Sequence, residues 1–167
     1  WRGMLTKEAS SNELFKNVAQ CIKTLDLDTV EVTQSRDKGC TNMRVVLSKR
    51  EGEINTDDLE KAYNVIYPMY QVLSQDRDLN LEVSSPGIQR NLKDVYEFEV
   101  FKGKTVRVYS TFYSSYIVGK IDSSDDESVT LTSYTIEDKK ESGEIIKLNY
   151  DTIAKAKLEC IWEEKND

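Results

Sequence analysis

Leu81-Glu82-Val83-Ser84-Ser85-Pro86-Gly87-Ile88-Gln89-Arg90 decides how this chain is read. Leu81 and Val83 alternate with Glu82, the period of two expected of a half-buried strand. Pro86 fixes its own φ and drives Ser85 into an extended conformation. Gly87 then supplies the positive φ that a type II turn requires. A strand thus runs into a stiff loop that presents the hydroxyls of Ser84 and Ser85, several backbone N–H groups and the guanidinium of Arg90. Such a loop can position a phosphate or a carboxylate. It can equally be an ordered linker whose arginine pairs with a nearby glutamate, and the residues alone favour that plainer reading.

Working upstream, the pattern is α-β-β-α before the Leu81 strand. Ser10 to Glu13 has the form of a capping box, and Leu14, Phe15, Val18, Ile22 and Leu25 follow at helical spacing. Thr29 to Ser35 alternates as a strand. Asp37 and Gly39 lie in a hairpin-like turn, and Met43 to Lys49 forms the second strand. Asn55 or Thr56 caps the next helix, whose stripe is Leu59, Ala62, Tyr63, Ile66, Met69, Tyr70 and Leu73. Pro68 lies inside that stripe, so a kink near residues 64–67 or a break into two short helices is expected. The crossover into the Leu81 strand should be right-handed.

Downstream, Asp94 is placed to cap one or two helical turns anchored by Tyr96, Phe98 and Phe101. Five short strands are then expected at residues 105–110, 116–121, 128–134, 144–148 and 155–162, with turn-rich segments between them. Gly119 inside the second of these marks a bulge. The pattern divides the chain into an α/β domain over residues 4–90 and an all-β barrel over residues 91–167. The stiffness of the loop at this boundary implies a limited range of interdomain angles.

Composition narrows the function. The 167 residues carry a net charge of −7 and no histidine. The first 90 residues hold 12 basic and 14 acidic side chains, the remainder 11 and 16. Long-range attraction to naked RNA is therefore weak, because phosphate binding relies on clustered Lys and Arg, and an acidic surface suits a basic protein. Cys21, Cys40 and Cys160 are far apart, with no Cys-x-x-Cys, so zinc sites and a disulfide framework are not expected. Cys21 and Cys160 read as core residues. Without histidine, Ser84 and Ser85 have no ordinary base to activate them, and there is no glycine-rich phosphate loop. The expectation is a cytoplasmic non-enzyme with no cofactor, no metal, no small-molecule substrate and no membrane-spanning segment.

The same residues carry a family resemblance. Leu81 to Gly87 followed by Arg90 resembles the signature of the ribosome maturation factor RimP family. Phe101-Lys102-Gly103-Lys104-Thr105-Val106-Arg107-Val108 is similar to that family's entry into a C-terminal barrel, and Asp151 to Leu158 to its final strand. The chain departs from the family pattern at Asn91, where Pro is usual, at Val100, where a basic residue is common, and at Ser114-Ser115-Tyr116, where the loop is usually basic and aromatic. The resemblance implies a KH-like α+β domain followed by an SH3-like or Sm-like five-stranded barrel. It implies a monomer that binds the immature small ribosomal subunit, through ribosomal RNA and a basic ribosomal protein, and assists its assembly. The candidate RNA contacts are Ser84, Ser85, Pro86, Gly87, Arg90, Lys102, Lys104 and Arg107, with Arg90 as the chief phosphate clamp. Tyr113 and Tyr116, near a loop tip, are the candidate partner-protein contacts. The rival readings are a general RNA-binding module, which needs a contiguous positive surface, and a non-ribosomal protein–protein adaptor, which needs a large exposed apolar patch.

Overall fold

A two-residue turn sets the register of the first sheet. Lys38 and Gly39 take φ of 51° and 79°, the pair of left-handed conformations that joins antiparallel strands without splaying them. The strands it joins are β1, Leu27–Asp37, and β2, Cys40–Lys49, paired from Asp37↔Cys40 back to Leu27↔Lys49. The structure, a computed structural model, describes residues 5–50, 52–73 and 78–159, with the Ser10 side chain excluded. Trp1 to Gly3, Glu51 and Cys160 with the end of the last expected strand lie outside that set. The chain divides into two compact units, Glu8–Pro86 and Trp1–Lys7 with Gly87–Asp167.

In the Glu8–Pro86 unit the order is α1 (Glu13–Cys21), β1, β2, α2 (Thr56–Leu73) and β3 (Asp78–Ser84). The sheet runs β1-β2-β3, with β3 parallel to β2. Asn12 caps α1, its side chain accepting the Phe15 N–H at 3.1 Å, so the helix starts later than a box built on Ser10 implies. Asn55 and Asp58 cap α2 reciprocally: Asn55 Oδ1 accepts from Asp58 N at 2.8 Å, and Asn55 N donates to Asp58 Oδ2 at 3.1 Å. The Asn55 N–H bond, with the Lys49 ammonium 3.3 Å away, holds the Asp58 carboxyl below its usual range. Pro68 does not split the helix, which runs unbroken through it. Ala62, Ile66 and Tyr70 pack from α2 into a core with Val18 of α1, Ile22 just beyond its end, and Met43, Val45 and Leu47 of β2. That burial offsets the hydrogen bond a proline removes.

The other unit opens with a short helix, α3 (Tyr96–Val100), followed by β4 (Thr105–Ser110), β5 (Ser115–Ser124), β6 (Ser128–Ile136), β7 (Glu141–Asn149) and β8 (Ile153–Leu158). Asp94 starts α3 by accepting the Tyr96 N–H at 2.9 Å, and its second oxygen takes the Thr6 hydroxyl at 2.6 Å. Thr6 also bridges to this segment through backbone bonds with Lys93 and Val95, so Leu5–Lys7 belong with the all-β unit, which a division at residue 90 does not foresee. The strands form one antiparallel sheet in the order β7-β6-β5-β4-β8. The register shifts between Val118 and Lys120, which makes Gly119 the bulged residue, as its place in the strand suggests. A closed barrel is not what the pairing shows: no ladder joins β7 to β8 among the described residues. One face is buried, with Val106, Val108, Ile117, Leu131 and Ile153 all at 0% exposure.

Candidate functional site

The loop from Ser84 to Arg90 keeps part of its expected geometry. Ser84 closes β3 opposite Val46, and its Oγ is buried with no hydrogen-bond partner among the described residues. Ser85 and Gly87 are exposed and Pro86 is half-buried. Gly87 has φ of +81°, the conformation predicted for it, but the turn itself falls at Ile88–Gln89.

Arg90 requires a correction. Its side chain is only 7% exposed, and its Nε donates to Glu97 Oε1 at 2.6 Å, with Glu97 at 2%. The other Glu97 oxygen accepts the backbone N–H groups of Lys93 at 3.0 Å and Asp94 at 3.1 Å. The guanidinium is thus committed inside its own unit to the carboxylate that anchors the start of α3. A buried charge is held where a partner and hydrogen bonds satisfy it, and a group so held is not a surface clamp for phosphate. The plainer alternative, an arginine paired with a nearby glutamate, is the geometry found. Sequence reasoning does not single out Glu97; its position three residues after Asp94 is the available signal.

Lys102 and Lys104 are exposed on the turn between α3 and β4, either side of Gly103 (φ +91°). Arg107 faces away from Val106 and Val108, as strand alternation requires, but it is engaged. Its Nε and a terminal nitrogen reach the two Glu137 oxygens at 2.7 and 3.2 Å, and its Cζ lies 3.9 Å from the Tyr116 ring centroid. The hydrogen bond to Glu137 raises the Arg107 pKa further above its ordinary value, and Arg107 lowers that of Glu137, so the pair stays ionised. The three basic residues named from sequence are therefore not equivalent: two are open and one is clamped.

Tyr116 is half-buried under Arg107 and edge-on to Tyr109, with centroids 5.0 Å apart. The exposed aromatic at the β4–β5 tip is Phe112, at 75%, standing edge-on to Tyr113 at 4.9 Å. Lys139 of the β6–β7 turn lies 5.6 Å from the Tyr113 ring. Ser115 ties these two turns together, its Oγ accepting the Asp138 N–H at 3.0 Å while donating to the Tyr116 carbonyl at 3.2 Å. Sequence favours Tyr113 and Tyr116 as the better exposed pair; the structure favours Phe112 and Tyr113.

Comparison with known proteins bears on the loop and the unit that leads into it. The model of the RimP N-terminal domain matches residues 17–89. Proteins named Ribosome maturation factor RimP from Borrelia garinii subsp. bavariensis and Borreliella burgdorferi are each 26% identical over 98 residues, covering 59% of this chain and 67% of theirs. The family these matches support is RimP. The RimP domain match ends at Gln89, one residue before the arginine whose burial changes the reading of the loop. Among solved structures, an Sm-like protein from Archaeoglobus fulgidus is 21% identical over 38% of this chain and 89% of its own, with a TM-score of 0.34. That likeness is too slight to carry an argument.

Proposed function

We propose that this chain is a ribosome maturation factor that binds the immature small ribosomal subunit and assists its assembly. The observation that carries the reading is the RimP domain match over residues 17–89, joined by relatives that bear the maturation-factor name. In this reading the chain works without catalysis or cofactor, as a cytoplasmic monomer whose two functional parts are the Glu8–Pro86 unit and the all-β unit. The five-stranded sheet is read as an open Sm-like barrel and the α/β unit as its KH-like companion. Among the described residues no helix is long and apolar enough to cross a membrane, and no group of His, Cys, Asp or Glu could hold a metal ion.

The contact set changes with the geometry. Arg90 leaves it, because Glu97 holds its side chain inside the all-β unit. Ser85 and Gly87 offer exposed backbone, and Lys102 and Lys104 are the open cations for phosphate. Phe112 and Tyr113 are the anchors for a basic ribosomal protein, to which the chain's net charge of −7 is complementary. Depletion of the protein in its host tests the assembly role. Immature small subunits should accumulate and disappear when the chain is re-expressed, whereas an unchanged subunit profile would remove the assembly role.

A further inference from the structure

The strand register assembles a surface that no single stretch of sequence displays. On β4, Thr105, Arg107 and Tyr109 point away from the buried Val106, Val108 and Ser110. Directly opposite Tyr109 lie Tyr116 on β5 and Lys155 on β8; opposite Arg107 lie Val118 and Lys157; opposite Thr105 lies Lys120. Lys120 and Lys155 are exposed, and Lys157 and both tyrosines are half-exposed. One face of three adjacent strands therefore carries Lys120, Lys155, Lys157, Arg107 and two aromatic rings, in a chain whose net charge is −7.

The nearby carboxylates act on Arg107 and leave the three lysines unpaired among the described residues. Glu137 is held by Arg107 at 2.7 Å, and Glu159 is near enough to help raise the Arg107 pKa. No carboxylate pairs with Lys120, Lys155 or Lys157 among the described residues. Arg107 serves here as a positioning residue, pinning the Tyr116 ring that Tyr109 meets edge-on. Lys155 and Lys157 are two positions apart on one strand, about 6.7 Å, a step comparable to that between successive phosphates of an extended single strand.

We propose that the outward face of β8-β4-β5 is a platform for single-stranded RNA, with Tyr109 stacking a base and Lys155, Lys157 and Lys120 meeting its phosphates. Rings and cations interleaved on a sheet hold an unpaired strand without reading its sequence. Naming ribosomal RNA as the natural ligand rests on the maturation-factor reading; the platform itself rests on the register.

Fluorescence anisotropy of a short labelled oligouridine, titrated with the full chain at salt from about 50 to about 200 mM, tests it. The wild type should bind, more weakly as salt rises. Lys155→Ala with Lys157→Ala should make the log–log salt slope shallower by about 1.4, roughly 0.7 for each phosphate no longer neutralised. Tyr109→Leu should weaken binding about tenfold and leave the slope unchanged. Lys16→Ala with Lys61→Ala, on the helices of the other unit, should change neither, and thermal melts should show every variant folded. Absence of binding by the wild type, or equal losses from both lysine pairs, overturns the platform. Sedimentation of the same samples with immature small subunits separates the two claims. Pelleting without oligouridine binding removes the platform alone, and oligouridine binding without pelleting removes the ribosomal reading alone.

Discussion

Arg90 and Glu97 show how one side chain can look like a ligand contact and be a lock. Both are buried, and the Glu97 carboxylate also collects two backbone N–H groups at the start of α3. Removing one member leaves the other charged, desolvated and unmatched. Arg90→Ala should therefore lower unfolding free energy by about 3–5 kcal/mol, read from denaturant midpoints at unchanged slope. A loss below about 1 kcal/mol, the range of exposed pairs, would place the guanidinium in solvent and restore it as a contact candidate. The sequence offers this outcome among its alternatives, because an arginine seven residues before a glutamate is common in any loop. It does not select it. The pairing depends on α3 starting at Asp94, and on Thr6 joining that start from the far end of the chain.

At the scale of elements, alternation and caps are legible where the determinants are local. Gly39 in its hairpin turn, the reciprocal Asn55–Asp58 cap and the alternation of β4 each follow from residues a few positions apart. Pro68 suggests a kink or a break, and the break does not occur, because the compensating contacts of Ala62, Ile66 and Tyr70 are tertiary. Gly119 reads as a bulge from sequence and is one, and the structure adds a steric reason. A Cβ there would meet Leu131 Cβ at 3.0 Å and Tyr134 Cβ at 3.2 Å. Those are main-body atoms of β6, with no flexible end to swing aside. Gly119→Ala should cost about 1–3 kcal/mol, measurable by chemical denaturation. A neutral result would mean that β5 and β6 separate at the bulge more easily than their pairing indicates. The platform face is invisible from sequence for a related reason. Tyr109 and Lys155 are neighbours only because β8 returns beside β4, a register set by the whole sheet.

At the scale of the molecule, the hydrophobic pattern and composition point to two units and an acidic surface, but not to the lack of a β7–β8 ladder among the described residues or the clamping of Arg107. The stability of the all-β unit should depend on pH at the alkaline end through Tyr150. Its ring is 3% exposed and stacks on Phe98 at 5.6 Å, and burial pushes its phenol from 10.0 up to about 12, against a lowering by the Ser124 side chain. The folded state thus holds this proton more tightly than the unfolded chain does. The Tyr150 contribution is intact below pH 10 and is lost as pH rises from 10 towards 12. Tyr150→Phe should flatten that part of the alkaline decline relative to wild type. Parallel declines in the two proteins would show that the phenol is solvated.

The central proposal is that the chain engages the small ribosomal subunit while that subunit is incomplete. Its most direct test is gradient sedimentation of the purified chain with purified immature and mature small subunits at matched concentration and salt. The account predicts that the chain travels with the immature particles and is largely left behind by the mature ones. Equal association with both, or with neither, would contradict it.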